Sequence, residues 1–369
     1  MNAEQTTRRT ILQRACSSFC ILYSGGFTSV RAAEPPAAKP AADIAARPNQ
    51  VVGNEITDKQ KASVEKGLAW LASQQAKSGA YGSNYGGASG HAGITALAGL
   101  AFMSAGNLPT RGKYGENVQK CLEYTLASCQ ESGLIASDNA HGAMYGHGFA
   151  TLFIGEIYGM APDDEVKEKL QKAVKLIERC QNNEGGWRYM PVAADADISV
   201  TICQVMALRA ARDAGLKVNK TTIDKAIQYV KHCQNADGGF SYIAGQGSGS
   251  GYARTGAGVA TLYYAGIFEG NDLKRGLDFL KQFVVPGKAI HDGGMEGMYF
   301  YGNYYVTQAM FLAGGEYWEK FYPFIRDQLI QRQQAGGSWS GEAGDHYATA
   351  MALISLQMPN RYLPVFHGK

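Results

Sequence analysis

A motif of the form Gln-x-x-x-Gly-Gly-aromatic recurs along this chain with a period of about fifty residues. It reads QNNEGGW at 181–187 and QNADGGF at 234–240. QAKSGAY at 75–81 is a degenerate copy that keeps Gly79, and a shorter copy, QQAGGSW, closes at Trp339. Tyr81, Leu134, Trp187 and Phe240 stand 53 residues apart. A fixed period of this length marks a fold made of stacked, similar units, each unable to bury its apolar face alone.

Each unit carries two helical patterns. One is amphipathic and charged, as at 165–180, where Val166, Leu170, Val174 and Ile177 form a single stripe; such a helix has one wet face. Similar segments start near Asp58, Glu116, Thr222, Leu273 and Tyr317. The other pattern is almost free of charge and full of small and aromatic residues, at 94–105, 143–158, 198–211, 256–268, 301–314 and 347–357. A helix apolar nearly all round is buried between other elements. Six exposed and six buried helices in alternation predict six hairpins. Closed into a ring, they form an all-α fold, an (α/α)6 toroid with the buried set inside. In it the Gly-Gly supplies a positive-φ turn, the aromatic wedges between hairpins, and the Gln amide satisfies free backbone groups at helix ends. The motif is structural.

The chain has 369 residues, 45% of them hydrophobic, ample for a core. No membrane-spanning run is expected in its body. Residues 1–32 read as an export signal. Arg8-Arg9 gives the twin-arginine pattern, a mildly apolar stretch follows, and Val30-Arg31-Ala32 offers a cleavage site. The expected location is periplasmic or extracellular. Residues 33–50, rich in Ala and Pro, read as a flexible linker, 51–358 as the repeat domain and 359–369 as a tail. Removing 1–32 takes Arg8, Arg9, Arg14, Arg31 and Glu4 from 35 basic and 32 acidic residues, leaving 31 of each. A balanced chain has no basic footprint for nucleic acid; peripheral membrane contact stays open. Cys121, Cys129, Cys180, Cys203 and Cys233 read as small apolar residues, because equivalent sites on neighbouring hairpins lie beyond disulfide reach.

The repeated Gln–aromatic motif on six helical hairpins resembles the superfamily of squalene and terpene cyclases and protein prenyltransferase β-subunits, over roughly 58–357. In squalene cyclases this repeat is the QW motif. The resemblance implies the toroid and a small apolar or isoprenoid-like ligand, and says little about the reaction. Squalene cyclases place Asp-x-Asp-Asp-Thr at the start of an inner helix, the middle Asp protonating an alkene. Here the segment reads Asp195-Ala196-Asp197-Ile198-Ser199-Val200-Thr201. Aligned on Thr201, Asp197 takes the first Asp position, Ser199 the middle and Val200 the last. A shift of two matches Asp195 and Asp197 instead, with Ile198 in the final place. In the first register the donor is a serine, too weak an acid for an alkene. At the zinc positions of prenyltransferases the chain has Tyr301, Asn303 and Ala348, with His346 two residues away, so zinc-thiolate chemistry is not supported. The Gly-Cys-Gly-Glu-Gln signature of complement-type thioester domains is absent.

The buried segments align on a shared threonine: Thr95, Thr151, Thr201, Thr261, Thr307 and Thr349. Four residues earlier stand His91, His147, Asp197, Ala257, Asn303 and Asp345, five of them polar on otherwise apolar helices. In a toroid these positions face one another around one mouth, where helix N-termini also present free N–H groups. The ring has three readings: helix caps, a shared ligand-binding or catalytic ring, or a divalent metal site from His91, His147 and Asp197. Candidate acids are Asp197, Asp195 and Asp345; candidate ligand contacts are His91, His147, Asn303, Tyr145, Tyr301 and Tyr305. Phe149, Tyr263, Tyr264, Tyr299, Phe300 and Tyr304 add to the aromatic character, which suits a core or a lining for cationic intermediates. GQGSGSG at 245–251 lacks the ending of a phosphate-binding loop, and the His141/His147 spacing reads as loop packing.

Three functions fit: an enzyme handling an isoprenoid, a non-catalytic exported binding module, or a carbohydrate-active (α/α)6 enzyme. The last needs two carboxylates about 5–9.5 Å apart, for which Asp197 and Asp345 are the ring pair.

Overall fold

The computed structural model describes residues 55–82, 90–137, 142–290, 298–341 and 343–368. The expected export signal, the linker and His141 lie outside them. Among the described residues there are twelve α-helices and no strand. They are α1 (Asp58–Ser73), α2 (Ala92–Met103), α3 (Gly115–Ala127), α4 (Ala143–Met160), α5 (Asp164–Cys180), α6 (Ile198–Asp213), α7 (Lys220–His232), α8 (Tyr252–Tyr264), α9 (Asn271–Lys281), α10 (Tyr299–Ala313), α11 (Gly315–Arg332) and α12 (Asp345–Leu356).

Even-numbered helices form the inner wall. Every residue of α2 is buried, as an all-apolar helix requires. Odd-numbered helices form the outer wall; α5 buries the Val166, Leu170, Val174 and Ile177 stripe and wets the rest. Each inner helix packs on the next, and α12 packs back on α2. The double ring is therefore closed. At the seam, Gln357 Nε2 of the last hairpin donates to Ala101 O at 3.0 Å. In the outer wall Gln333 Nε2 donates to Ser63 O at 2.9 Å.

The repeat motif makes this closure. Gln75, Gln181, Gln234 and Gln333 each use one amide twice. Nε2 donates to the carbonyl of its own turn glycine and to a carbonyl near the start of the next outer helix, as Gln181 does with Gly185 O and Thr222 O, both at 2.8 Å. Gly185 turns the chain at φ 102°, and a Cβ there would collide with the Lys225 carbonyl, so only glycine fits. Two residues on, the aromatic points back under its own helix: Trp187 Nε1 donates to Ile177 O at 2.8 Å and Trp339 Nε1 to Leu329 O at 2.7 Å. Its backbone N–H goes to a threonine of the inner helix: Tyr81 to Thr95, Trp187 to Thr201, Phe240 to Thr255, Trp339 to Thr349.

These bonds correct the repeat register in two places. Gly133, at φ 90°, is the turn glycine of the second repeat, which puts Ile135, not Leu134, in the aromatic position. The partner of the Ile135 N–H is His147 Nδ1 at 3.1 Å, so His147 takes the role a threonine plays elsewhere. In the fourth repeat Thr255 holds that place, not Thr261, and α8 begins at Tyr252, four residues ahead of expectation.

Side chains fill the axis part way down. From α10, Tyr304 reaches Phe149 of α4, on the opposite side of the ring, with ring centroids 6.1 Å apart. Tyr305 OH lies 3.2 Å from Cys203 Sγ of α6. Tyr304, Tyr305 and Cys203 are buried. The end nearest the inner-helix C-termini, the lower end, is sealed by the segment expected as a tail. Val365 and Phe366 are buried, and Val365 N donates to Glu156 Oε2 of α4 at 3.2 Å. Buried Arg361 lies 3.4 Å from Glu55 Oε2, while Glu55 Oε1 accepts from Trp318 Nε1 of α11. The two ends of the described chain are thus tied together.

Candidate functional site

The inner-helix N-termini lie at the upper end, and one polar group there is out of keeping with its surroundings. Asp197 is the N-cap of α6: its backbone N–H returns to Trp187 O at 3.0 Å, and its Oδ1 accepts from Val200 N at 2.8 Å. Asp favours this position because it satisfies an otherwise free helix N–H. Its Oδ2 is buried without a close hydrogen-bond partner, the Tyr242 hydroxyl acting on the carboxyl from longer range. The nearest cation is Arg188, with Nε 3.7 Å away. Burial pushes the Asp197 pKa up to about 6, against the pull of Val200 N–H, the Tyr242 hydroxyl and Arg188.

Residues 188–196 form an excursion whose base is the Trp187–Asp197 bridge. Arg188 lies inside it: Nη1 pairs with Asp195 Oδ2 at 2.6 Å, and the guanidinium sits 5.1 Å from the Tyr189 ring and 6.0 Å from the Tyr242 ring. The Tyr189 and Tyr242 hydroxyls touch each other, and Tyr145 of α4 is 6.0 Å from Tyr189, ring to ring. Tyr301 lies below, its hydroxyl 3.5 Å from Ser199 O and its ring 4.9 Å from Tyr305. Burial raises the pKa of Tyr145 and Tyr301, and nearby Cys203 and Asp197 add to it. The result is a carboxyl poised to exchange a proton near neutrality, beneath aromatic faces, with one oxygen uncommitted. Such a combination is more frequent at functional sites than in structural cores.

Asp197, Asp195, Tyr145, Tyr301 and Tyr305 therefore come together. The remaining residues of the expected ring do not join them. His147 faces outward to Ile135, fully buried, its pKa lowered to about 4 by burial, and the Ala173 carbonyl of α5 opposes that shift. Asn303 is used up between Tyr252 OH, which donates to its Oδ1 at 2.8 Å, and Tyr299 O. His91 caps α2 through Nδ1 to Ile94 N at 3.3 Å, and burial lowers its pKa. Asp345 takes the Ser340 hydroxyl at the start of α12. His346 accepts from Gly82 N at 3.1 Å and packs on Tyr81. The His91, His147 and Asp197 set accordingly does not form a metal centre, and among the described residues no three His, Cys, Asp or Glu side chains converge in one. The five cysteines among the described residues are unpaired.

Arg188, Tyr189 and Tyr242 were not singled out from the sequence, although a signal existed. Tyr189 and Tyr242 both stand two residues after the motif aromatic in successive repeats, so the repeat itself places them on adjacent loops.

The geometry defines a closed α/α toroid whose repeat turns knit neighbouring hairpins. The profile described as the prenyltransferase alpha-alpha toroid domain matches residues 50–298, and the chain belongs to that family. No curated protein matches the sequence. Among solved structures, the type II terpene cyclase MstE from Scytonema resembles it at 12% identity and TM-score 0.57, over 83% of this chain and 100% of that one. A variant of that cyclase was solved with geranylgeranyl dihydroxybenzoate as substrate. An inactive α-1,6-mannanase, GH76A of Salegentibacter sp. HEL1_6, in complex with α-1,6-mannotriose, matches at 9% identity and TM-score 0.60, over 82% and 99%. A D-mannose isomerase matches at 13% and 0.58, over 83% and 99%. At these identities the likeness is one of fold. No helix among the described residues is long and apolar enough to cross a membrane.

Proposed function

We propose that this protein takes an apolar, isoprenoid-like ligand at the upper mouth of its inner barrel, and that Asp197 is the group that exchanges a proton with it. The observation that carries this reading is the Asp197 Oδ2, buried among Tyr145, Tyr242 and Tyr301 without a close hydrogen bond. A protonated carboxyl in such a place donates to an apolar partner without competition from water, and tyrosine faces stabilise positive charge that develops beside them. Family membership and the fold likeness to a cyclase solved with a geranylgeranyl substrate support the ligand class. Asp195 and Asp345 rank below Asp197 as acids: Asp195 is exposed and paired with Arg188, and Asp345 is engaged by Ser340.

The test is incubation with geranylgeraniol and squalene, binding followed by native mass spectrometry and products by gas chromatography. The expected outcome is binding by the wild-type protein and loss of any product in Asp197→Asn. Identical products from both proteins would remove Asp197 from the role, and no binding of either polyprene would end the reading. α-1,6-Mannotriose serves as the control for a sugar ligand. Binding without turnover would fit a non-catalytic module instead, which the side chains filling the axis at Tyr304 and Phe149 favour by shortening the hollow. Export follows from the Arg8-Arg9 segment; a reporter fused to residues 1–32 should leave the cytoplasm, and Arg8→Lys with Arg9→Lys should retain it.

A further inference from the structure

The cation beside Asp197 is Arg188. This side chain is 27% exposed, at the rim, and it does three things at once. Its Nη1 is anchored to exposed Asp195, its guanidinium is held against Tyr189 and Tyr242, and its Nε faces the uncommitted oxygen of Asp197. Two carboxylates and two aromatic faces form a box that suits a cation, and the protein's own arginine fills it. The outer anchor is weak, since Asp195 is solvent-exposed. The inner contact, at 3.7 Å, is beyond hydrogen-bond reach. The side chain can therefore leave without breaking a buried hydrogen bond.

We propose that Arg188 is the gate of the Asp197 site: parked inward it covers the carboxyl and holds it ionised, and swung outward it admits ligand and lets the carboxyl take up a proton. This rests on the reading of Asp197 given above and adds its control. The proton balance is simple. One proton moves from solvent to Asp197 Oδ2 as the guanidinium departs, and no other bond is made or broken.

The direction follows from what faces Asp197. The Val200 N–H of α6, the Tyr242 hydroxyl and Arg188 pull the carboxyl pKa down, and Arg188 is the cation among them. The other neighbours work against ionisation or are neutral. Asp195 shares the loop; Tyr145 comes from α4 and Tyr301 from α10; Cys203 lies on α6; Tyr229 and Cys233 lie at the end of α7. Take away the guanidinium and the carboxyl is left among buried phenols and thiols, where the charged form is disfavoured. Opening and protonation are thus one event. Arg188 is a positioning residue, acting through Asp197.

The test needs no ligand. The carboxyl carbon of Asp197 is followed by NMR in 13C-aspartate-labelled protein across roughly pH 4 to 9, assigned by its loss in Asp197→Asn. Access is followed in parallel by carbodiimide labelling of Asp197 and mass spectrometry. The expected result is a midpoint raised by about one unit or more in Arg188→Met, restored in Arg188→Lys, with labelling increased severalfold in Met and near wild type in Lys. Asp195→Asn, at an exposed position that folding tolerates, should raise labelling while keeping the arginine. An unchanged midpoint in Arg188→Met overturns the proposal. So does a shifted midpoint with unchanged labelling in both Arg188→Met and Asp195→Asn, which leaves no gate. Should Arg188→Met fail to fold, Asp195→Asn decides alone: wild-type labelling there rejects the gate. Because no polyprene is present, failure here leaves the ligand reading standing. Failure to bind polyprene with the gate confirmed removes only that reading.

Discussion

Both ends of the inner barrel bury a carboxylate, and they treat it in opposite ways. At the lower end Glu156 meets the Val365 N–H, and the Glu55–Arg361–Trp318 cluster beside the C-terminal segment is bonded throughout its carboxylate. At the upper end Asp197 Oδ2 lacks a close hydrogen bond, and Arg188 Nε stands 3.7 Å from it. Burial raises both pKa values, Glu156 to about 8 and Asp197 to about 6. A perturbed acid is therefore not a site by itself. What separates the Glu55 cluster from Asp197 is that both Glu55 oxygens are held, by Trp318 and Arg361, whereas Asp197 Oδ2 has no close hydrogen bond and leaves a ligand something to bond.

The contrast predicts a large stability loss below and a small one above. Arg361→Ala removes the buried guanidinium that pairs with Glu55, which costs about 3–5 kcal/mol. Guanidinium unfolding should record it, and a loss under about 1 kcal/mol would mean the lower cluster is not what closes the ring.

Glu156→Gln comes next. With its pKa raised in the folded state, wild-type Glu156 holds its proton longer than the unfolded chain does. Its stability contribution is intact in acid and falls as pH rises from about 4.5 through about 8. Gln keeps the acceptor for Val365 N–H and has no charge to bury. The variant should gain on the order of a few kcal/mol at alkaline pH and lose this slope. Melting temperatures taken across that window check it; parallel wild-type and variant curves would refute it.

His147→Thr tests the repeat register that distinguishes the upper wall. The folded protein keeps His147 neutral, with a pKa of about 4 against 6.5 when unfolded. Its contribution is complete above about 6.5 and is lost as pH falls toward 4. Threonine accepts the same kind of N–H in the other repeats, though its shorter side chain leaves a gap of about one ring. The variant should lose about 1–2 kcal/mol at neutral pH and show a flatter acid limb. An unaltered acid limb would place the His147 ring elsewhere.

How far the sequence could be read follows the same line. The period, the alternation of wet and dry helices and the Gln–glycine turn are repeated features, so each copy checks the others, and the closed (α/α)6 toroid was legible from them. Register within a copy was less so. Threonines recur on these helices, and Thr261 and Thr307 instead bond the carbonyl four residues back; nothing in one sequence distinguishes that from the turn-locking role of Thr255. The ring of six positions, five of them polar, dissolved for this reason, since His147 lies one turn below the mouth and Asn303 serves Tyr252. Asp197 was legible as a helix cap because a cap position is local. Arg188 escaped notice because its contact with Asp197 depends on a nine-residue excursion returning to its base.

Asp197→Asn should disturb stability least. Asn caps a helix about as well as Asp, so the Val200 N–H keeps its acceptor. Oδ2 has no close hydrogen bond to lose, and the Tyr242 hydroxyl can still meet the Asn side chain. The buried charge also disappears, which removes the decline in stability expected as pH rises from about 4 through about 6. Unfolding at neutral pH should therefore show no loss beyond about 1 kcal/mol, while polyprene turnover disappears. A loss as great as that of Arg361→Ala would erase the difference between the two ends: Asp197 would then be another closure group, and its free oxygen would have to be satisfied by buried water.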